Sequence, residues 1–175
     1  MSNKLILLIC ILFASCIRQQ DYEKKDPRKK STEAIGDQHQ QDSLFKNIAT
    51  LLDGKIKPDE IGDSIAILII PIDAACDACR DKAIDSVLEH RSKFKKGHFA
   101  IISANGLKTI KAYFTSRNMQ DPTDDRIILD HQNVAFKEQL VYIRPTAYYC
   151  YDRKAYKRVT SNSITVKEDL QLFFE

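Results

Sequence analysis

The chain of 175 residues lacks a hydrophobic run of membrane-spanning length. Its first apolar stretch, Leu5 to Phe13, falls well short of the roughly twenty helical residues needed to cross a hydrocarbon core of about 30 Å, which argues against a permanent transmembrane helix. It also lacks an excess of charge of one sign. Lys and Arg number 27 against 24 Asp and Glu, so no strong field draws the chain to nucleic acid or to an acidic polymer. It lacks a second cysteine pair: Cys10 and Cys16 lie at the front, Cys76 and Cys79 form one Cys-x-x-Cys, and Cys150 comes late. One such pair supplies two zinc ligands where a structural site needs four, and His90 and His131 stand isolated, so neither metal nor cofactor is expected.

What is present divides into three parts. Residues 1–15 read as an export signal, with Lys4 ahead of the apolar run and the small residues Ala14 and Ser15 directly before Cys16. Residues 16–42 read as a tether: from Ile17 to Asp42 there are six basic residues, six acidic ones and almost no large apolar side chain, too little to offset the entropy of ordering. The remainder, 43–175, is long enough for one domain with a core of its own.

Phe13-Ala14-Ser15-Cys16 resembles the lipobox of bacterial lipoproteins, although Phe13 departs from the usual Leu. The resemblance implies that Cys16 is the lipidated first residue of the mature chain, that acyl chains hold it on a bacterial membrane, and that the domain lies in the cell envelope outside the cytoplasm. Ordinary signal cleavage, with Cys16 an incidental thiol, is the plainer alternative.

Within 43–175 the hydrophobic pattern alternates between strand and helix. Leu44, Ile48, Leu51 and Leu52 mark a leading helix that Gly54 stops, and Ile65 to Ile70 is a continuous apolar run suited to a central strand covered on both faces. A helix from Cys76 to about Phe94 follows, with Asp73 placed to cap it. Strands are expected at 98–103 and 126–130, a helix from Leu107 to about Met119, and a helical turn at 134–140. Strands at 146–151 and 156–160 around a tight polar link, too close to be parallel, precede a closing helix at 166–174. The class is α/β, a mixed sheet flanked by helices.

This order, with Cys-x-x-Cys at the first strand-to-helix junction, resembles the thioredoxin family. Ile143-Arg144-Pro145-Thr146 resembles the Ile-Pro-Thr element that carries the family's cis-proline, with Arg144 inserted. The stretches 127–142 and 145–152 resemble the TlpA-like and peroxiredoxin-like branch. The likeness covers roughly residues 63 to 175. It implies a thioredoxin-like fold, Cys76 as nucleophile, Cys79 as resolving thiol, and Arg144, Pro145 and Thr146 beside the substrate. Its partners would be thiols and disulfides of exported proteins and a further redox partner. The chain departs from the pattern at Ala75, where Trp is usual, at Asp77-Ala78 between the cysteines, and at Ile70, where the family buries an Asp.

The chemistry follows from the position. A helix N-terminus exposes unpaired amides and carries about half a positive charge, which favours a thiolate at Cys76. Asp73 and Asp77 oppose this and Arg80 partly offsets them. Two functions remain open: an envelope-anchored thiol-disulfide oxidoreductase, or a redox-silent module that uses the same fold to bind a partner. For Cys150, amid strand tyrosines, the expectation is a buried inert thiol.

Overall fold

The computed structural model describes residues 32–56, 62–122 and 124–175. The expected signal peptide, Cys16 and the expected tether as far as residue 31 lie outside the described residues.

The apolar run becomes β2, Ser64–Pro71, with seven of its eight residues buried. A strand without a polar face has to be covered on both sides and paired on both edges. β3, His98–Ser103, lies parallel along one edge, from Ala66 opposite His98 to Pro71 opposite Ser103, and β4, Ile127–Asp130, extends the sheet parallel to β3. On the other edge β5, Thr146–Tyr151, runs antiparallel to β2, and β6, Lys154–Thr160, antiparallel to β5. The hairpin turn that joins them sets Asp152 and Arg153 at positive φ, the two-residue geometry whose twist suits paired strands.

Helices cover both faces. α2, Asp77–Glu89, α3, Leu107–Ser116, and α5, Val166–Phe174, enclose one core with Leu68, Ile70, Ala83, Ile84, Phe114 and Phe173. α1, Gln38–Leu52, and α4, Val134–Lys137, enclose the other with Ile67, Ile69, Leu51 and Tyr148. Alternate residues of β2 thus feed opposite cores, as the two-residue period of a strand requires. At about 2 kcal/mol for each large aliphatic side chain buried, this strand is a principal source of stability. Where one helix was expected to about Phe94, α2 ends at Glu89 and a separate 3₁₀ turn spans Arg91–Lys93.

Residues 32–42, read from composition as part of the tether, hold a strand and the first residues of α1. β1, Thr32–Ala34, pairs antiparallel with β6, and the sheet order is β1-β6-β5-β2-β3-β4. Three interactions order this stretch: Glu33 ion-pairs with Arg158, Ile35 is buried at 3 % exposure, and Asp37 caps α1 by accepting from the Gln40 amide at 2.7 Å.

Asp130, at the end of β4, has no exposed surface yet is fully engaged. Its carboxylate accepts from Ser103 Oγ at 2.8 Å and from the Val134 and Ala135 amides at 3.0 and 2.9 Å, fixing α4 against the sheet. Gly97, ahead of β3, has φ +78°, and a Cβ there would meet the Ser64 carbonyl oxygen at 2.5 Å. Gly97→Ala is expected to lower stability by about 1–3 kcal/mol through left-handed strain and this clash, seen as a lower denaturation midpoint in urea.

Candidate redox site

The backbone turns from the carboxyl end of β2 into α2 across residues 72–76. Asp73, the residue placed to cap the helix, is exposed and does not do so. Cys76 is the N-cap: its carbonyl accepts from the Cys79 and Arg80 amides, both at 3.0 Å, and its Sγ accepts from the Cys79 amide at 3.3 Å. A sulfur in that position faces the unpaired amides of the first turn, where negative charge is stabilised.

Cys76 and Cys79 are joined in a disulfide with Cα atoms 5.3 Å apart. They differ sharply in access, Cys76 being half-buried and Cys79 completely buried. A partner in solution can meet only the first.

Asp77 projects into solvent, and Arg80 draws it in with an ion pair at 2.9 Å. The same guanidinium reaches Asp81 at 2.8 Å, donates to the Ile72 carbonyl at 3.0 Å and stacks over the Tyr113 ring at 4.9 Å. Tyr113 in turn donates its hydroxyl to Asp81 at 2.9 Å and accepts from Arg117 at 2.7 Å. Partial burial works against the charge on Asp81, but the hydrogen bonds from Arg80 and Tyr113 prevail and hold its carboxyl below the usual range. Arg80 is therefore committed to neighbouring carboxylates rather than pointing freely at a sulfur. Ile70 is fully buried in the apolar core.

The connection before β5 lies against this turn, since the Ala75 amide donates to the Ile143 carbonyl at 3.2 Å. Of the three residues expected beside a substrate, Arg144 is exposed, whereas Pro145 and Thr146 are buried. The cis-proline expected at Pro145 is a correction: no cis peptide bond occurs among the described residues. The inserted Arg144 adds two backbone dihedrals to the connection, and the trans form is the intrinsic preference of such a bond by about 0.5–1 kcal/mol. Ser161 donates to the Pro145 carbonyl at 2.9 Å and Thr146 Oγ to that of Arg144 at 3.1 Å, which ties the segment to β6 and to itself.

The exposed apolar surface beside the turn comes from residues outside the set expected to contact a substrate. Tyr142 and Ile143 are 57 % and 53 % exposed, and Phe136 of α4, 50 % exposed, packs edge-on against Tyr142 at 6.2 Å. The legible signal was the apolar pair Tyr142-Ile143 standing directly before a charged residue and a proline. A cleft of ≈ 330 Å³ lies on the β5–β6 side of this connection, lined by Tyr142, Ile143, Arg144, Thr146 and Arg158 among others and by no residue of the cysteine turn. A larger groove of ≈ 670 Å³ runs between α2 and α5 from Lys82 to Lys93, away from the disulfide and lined mostly by charged side chains of both signs.

Cys150 is a free thiol at 1 % exposure, and burial pushes it up to about 12. Burial therefore keeps this thiol protonated in the folded chain at pH 8. The peptide containing Cys150 is expected to resist iodoacetamide at pH 8 and to react only in denaturant, as mass spectrometry would read; labelling of the folded chain would contradict the assignment.

No protein-family model matches the chain, and no curated protein does. Among solved structures it is similar to a protein assigned as a thiol:disulfide interchange protein, DsbE, from Chlorobium tepidum, at 13 % identity and TM-score 0.40, covering 66 % of this chain and 82 % of the other. It is similar also to a thioredoxin-like protein solved in the oxidised form, at 11 % identity and TM-score 0.39 over 69 % and 86 % of the two chains. A third is the thioredoxin domain of a thiol-disulfide oxidoreductase from Bacteroides vulgatus, at 11 % identity and TM-score 0.34 over 64 % and 82 %. The chain's own architecture, β2-α2-β3 parallel with the cysteines at the β2-to-α2 turn and an antiparallel β5-β6 hairpin followed by α5, makes the fold thioredoxin-like.

Proposed function

We propose that this chain is a thiol-disulfide oxidoreductase that works through Cys76 and Cys79, held by a lipid on Cys16 at a bacterial membrane with its domain on the extracytoplasmic side. The observation that carries the redox reading is the asymmetry of the pair. Cys76 caps α2 with its sulfur on the Cys79 amide and is reachable, while Cys79 is shut inside the fold one turn on. The anchoring reading rests on the Phe13-Ala14-Ser15-Cys16 motif.

In the reducing direction the Cys76 thiolate attacks one sulfur of a partner disulfide, forming a mixed disulfide and releasing the partner's other sulfur as a thiolate. The Cys79 thiolate then attacks Cys76 Sγ. The intramolecular disulfide forms, the partner leaves with both sulfurs reduced, and the two electrons have passed from this chain to the partner. A second dithiol of the envelope has to return the pair to the reduced state; run backwards, the same steps oxidise a partner. Arg144, Tyr142 and Ile143, beside the turn through the Ala75-to-Ile143 hydrogen bond, offer an apolar contact and one cation for an extended segment around the partner cysteine.

The test is disulfide reduction by the reduced chain beside C76S and C79S. Turnover is expected to vanish in both, with C79S caught on its partner through Cys76. Rates for the unaltered chain no better than those of a free dithiol would leave a thioredoxin-shaped binding module instead. Tyr142→Ser together with Phe136→Ser is expected to raise KM for an unfolded protein disulfide severalfold while leaving the rate with a small disulfide unchanged, since only the long partner reaches that surface. Release of the intact chain from membranes by C16S would check the anchor.

A further inference from the structure

We propose that Arg80 is a positioning residue for Cys76: by neutralising Asp77 and Asp81 and tying the first turn of α2 to the Ile72 carbonyl, it preserves the positive end of the helix on which the Cys76 thiolate depends. The proposal rests on the oxidoreductase reading for its purpose, though not for its test.

The N-terminus of α2 presents about half a positive charge to the Cys76 sulfur, while the first five residues of the same helix carry two carboxylates. One of them, Asp77, directly follows Cys76. Left alone, these would cancel the field of the amides and hold the thiol protonated near neutral pH. Arg80 meets both with one guanidinium, at 2.9 and 2.8 Å, and reaches the end of β2 at 3.0 Å with the same group. The planar fork makes this possible, because an ammonium offers a single point of charge.

The guanidinium is itself held. Its side chain is 17 % exposed and lies over the Tyr113 ring, whose hydroxyl shares Asp81 and is anchored by Arg117, while Arg117 also binds Asp85 at 3.0 Å. A chain of contacts therefore runs from α3 to the cysteine turn. Other charged or titratable groups near Cys76 are Asp73 in the β2-to-α2 turn, and Tyr142 and Arg144 in the connection before β5. Asp73 and Arg144 are exposed, and neither has an ion-pair partner among the described residues.

The experiment follows Cys76 alone. The reduced full-length chain is treated with iodoacetamide across a range of pH, and the peptide carrying Cys76 is quantified by mass spectrometry in the unaltered chain and in R80Q, R80K and R80Q/D77N. In R80Q the alkylation midpoint is expected to rise by about one pH unit, so that labelling at a pH well below both midpoints slows about tenfold. R80Q/D77N, which restores the net charge without the fork, is expected to bring the midpoint back toward that of the unaltered chain. A midpoint unmoved in R80Q, with only melting temperature or overall activity reduced, would overturn the proposal and make Arg80 a brace. Should R80Q not fold, R80K carries the test: its single point of charge leaves one of the two carboxylates unmet, so the midpoint is expected to rise by less than one pH unit, and a midpoint unmoved overturns the reading. Alkylation needs no partner, so a chain without turnover would sink the oxidoreductase reading and still answer this one.

Discussion

Everything in this fold depends on β2 having no polar face. Ile65, Ile67 and Ile69 fill one core and Ala66, Leu68 and Ile70 the other, so helices are required on both sides and hydrogen-bonded strands on both edges. A strand so enclosed cannot shift register by one residue without a change of side chains in both cores. Its carboxyl end is therefore a fixed point, and the turn that leaves it places Cys76 with the same rigidity.

At that fixed point two electrostatic demands oppose one another. The amides of α2 favour negative charge on the Cys76 sulfur, yet the sequence supplies Asp77 and Asp81 in the opening of the helix. Carboxylates near a helix N-terminus stabilise the helix by about 0.3–1 kcal/mol each. They favour the fold and disfavour the thiolate. Arg80 reconciles the two, since a cation close to both oxygens removes their effect on a neighbouring sulfur while the hydrogen bonds continue to fasten the turn.

The elements legible in the sequence were those whose burial pattern is simple. β2, β3, β5 and α5 were visible because continuous apolar runs and 3.6-residue spacing map directly onto enclosed strands and a one-faced helix. β1 was not: Thr32, Glu33 and Ala34 are all exposed, and what orders them is pairing with a strand more than a hundred residues away, which composition cannot report. The start of α1 was hidden by a polar first turn, although Asp37 with a glutamine three residues on was a capping signal. At the site, the cysteine spacing and the turn were readable from local chemistry. Which residues of 142–146 face outward was not, because it depends on how an inserted Arg144 lets Pro145 tuck beneath β6.

The same geometry sorts the three cysteines of the domain by reactivity. Cys76 and Cys79 sit beyond the carboxyl end of β2, whereas Cys150 lies opposite Ile65 near its other end. Six residues of strand at about 3.3 Å each separate that position from Pro71, so Cys150 stands roughly 20 Å from the turn. It belongs to the core of α1 and α4, across the sheet from α2, and burial without an opposite charge keeps it protonated. A mixed disulfide on Cys76 can therefore be resolved from within the folded domain only by Cys79, which sits one turn away and donates its amide to the same sulfur. Distance and desolvation together let a third thiol share the fold without competing for the exchange.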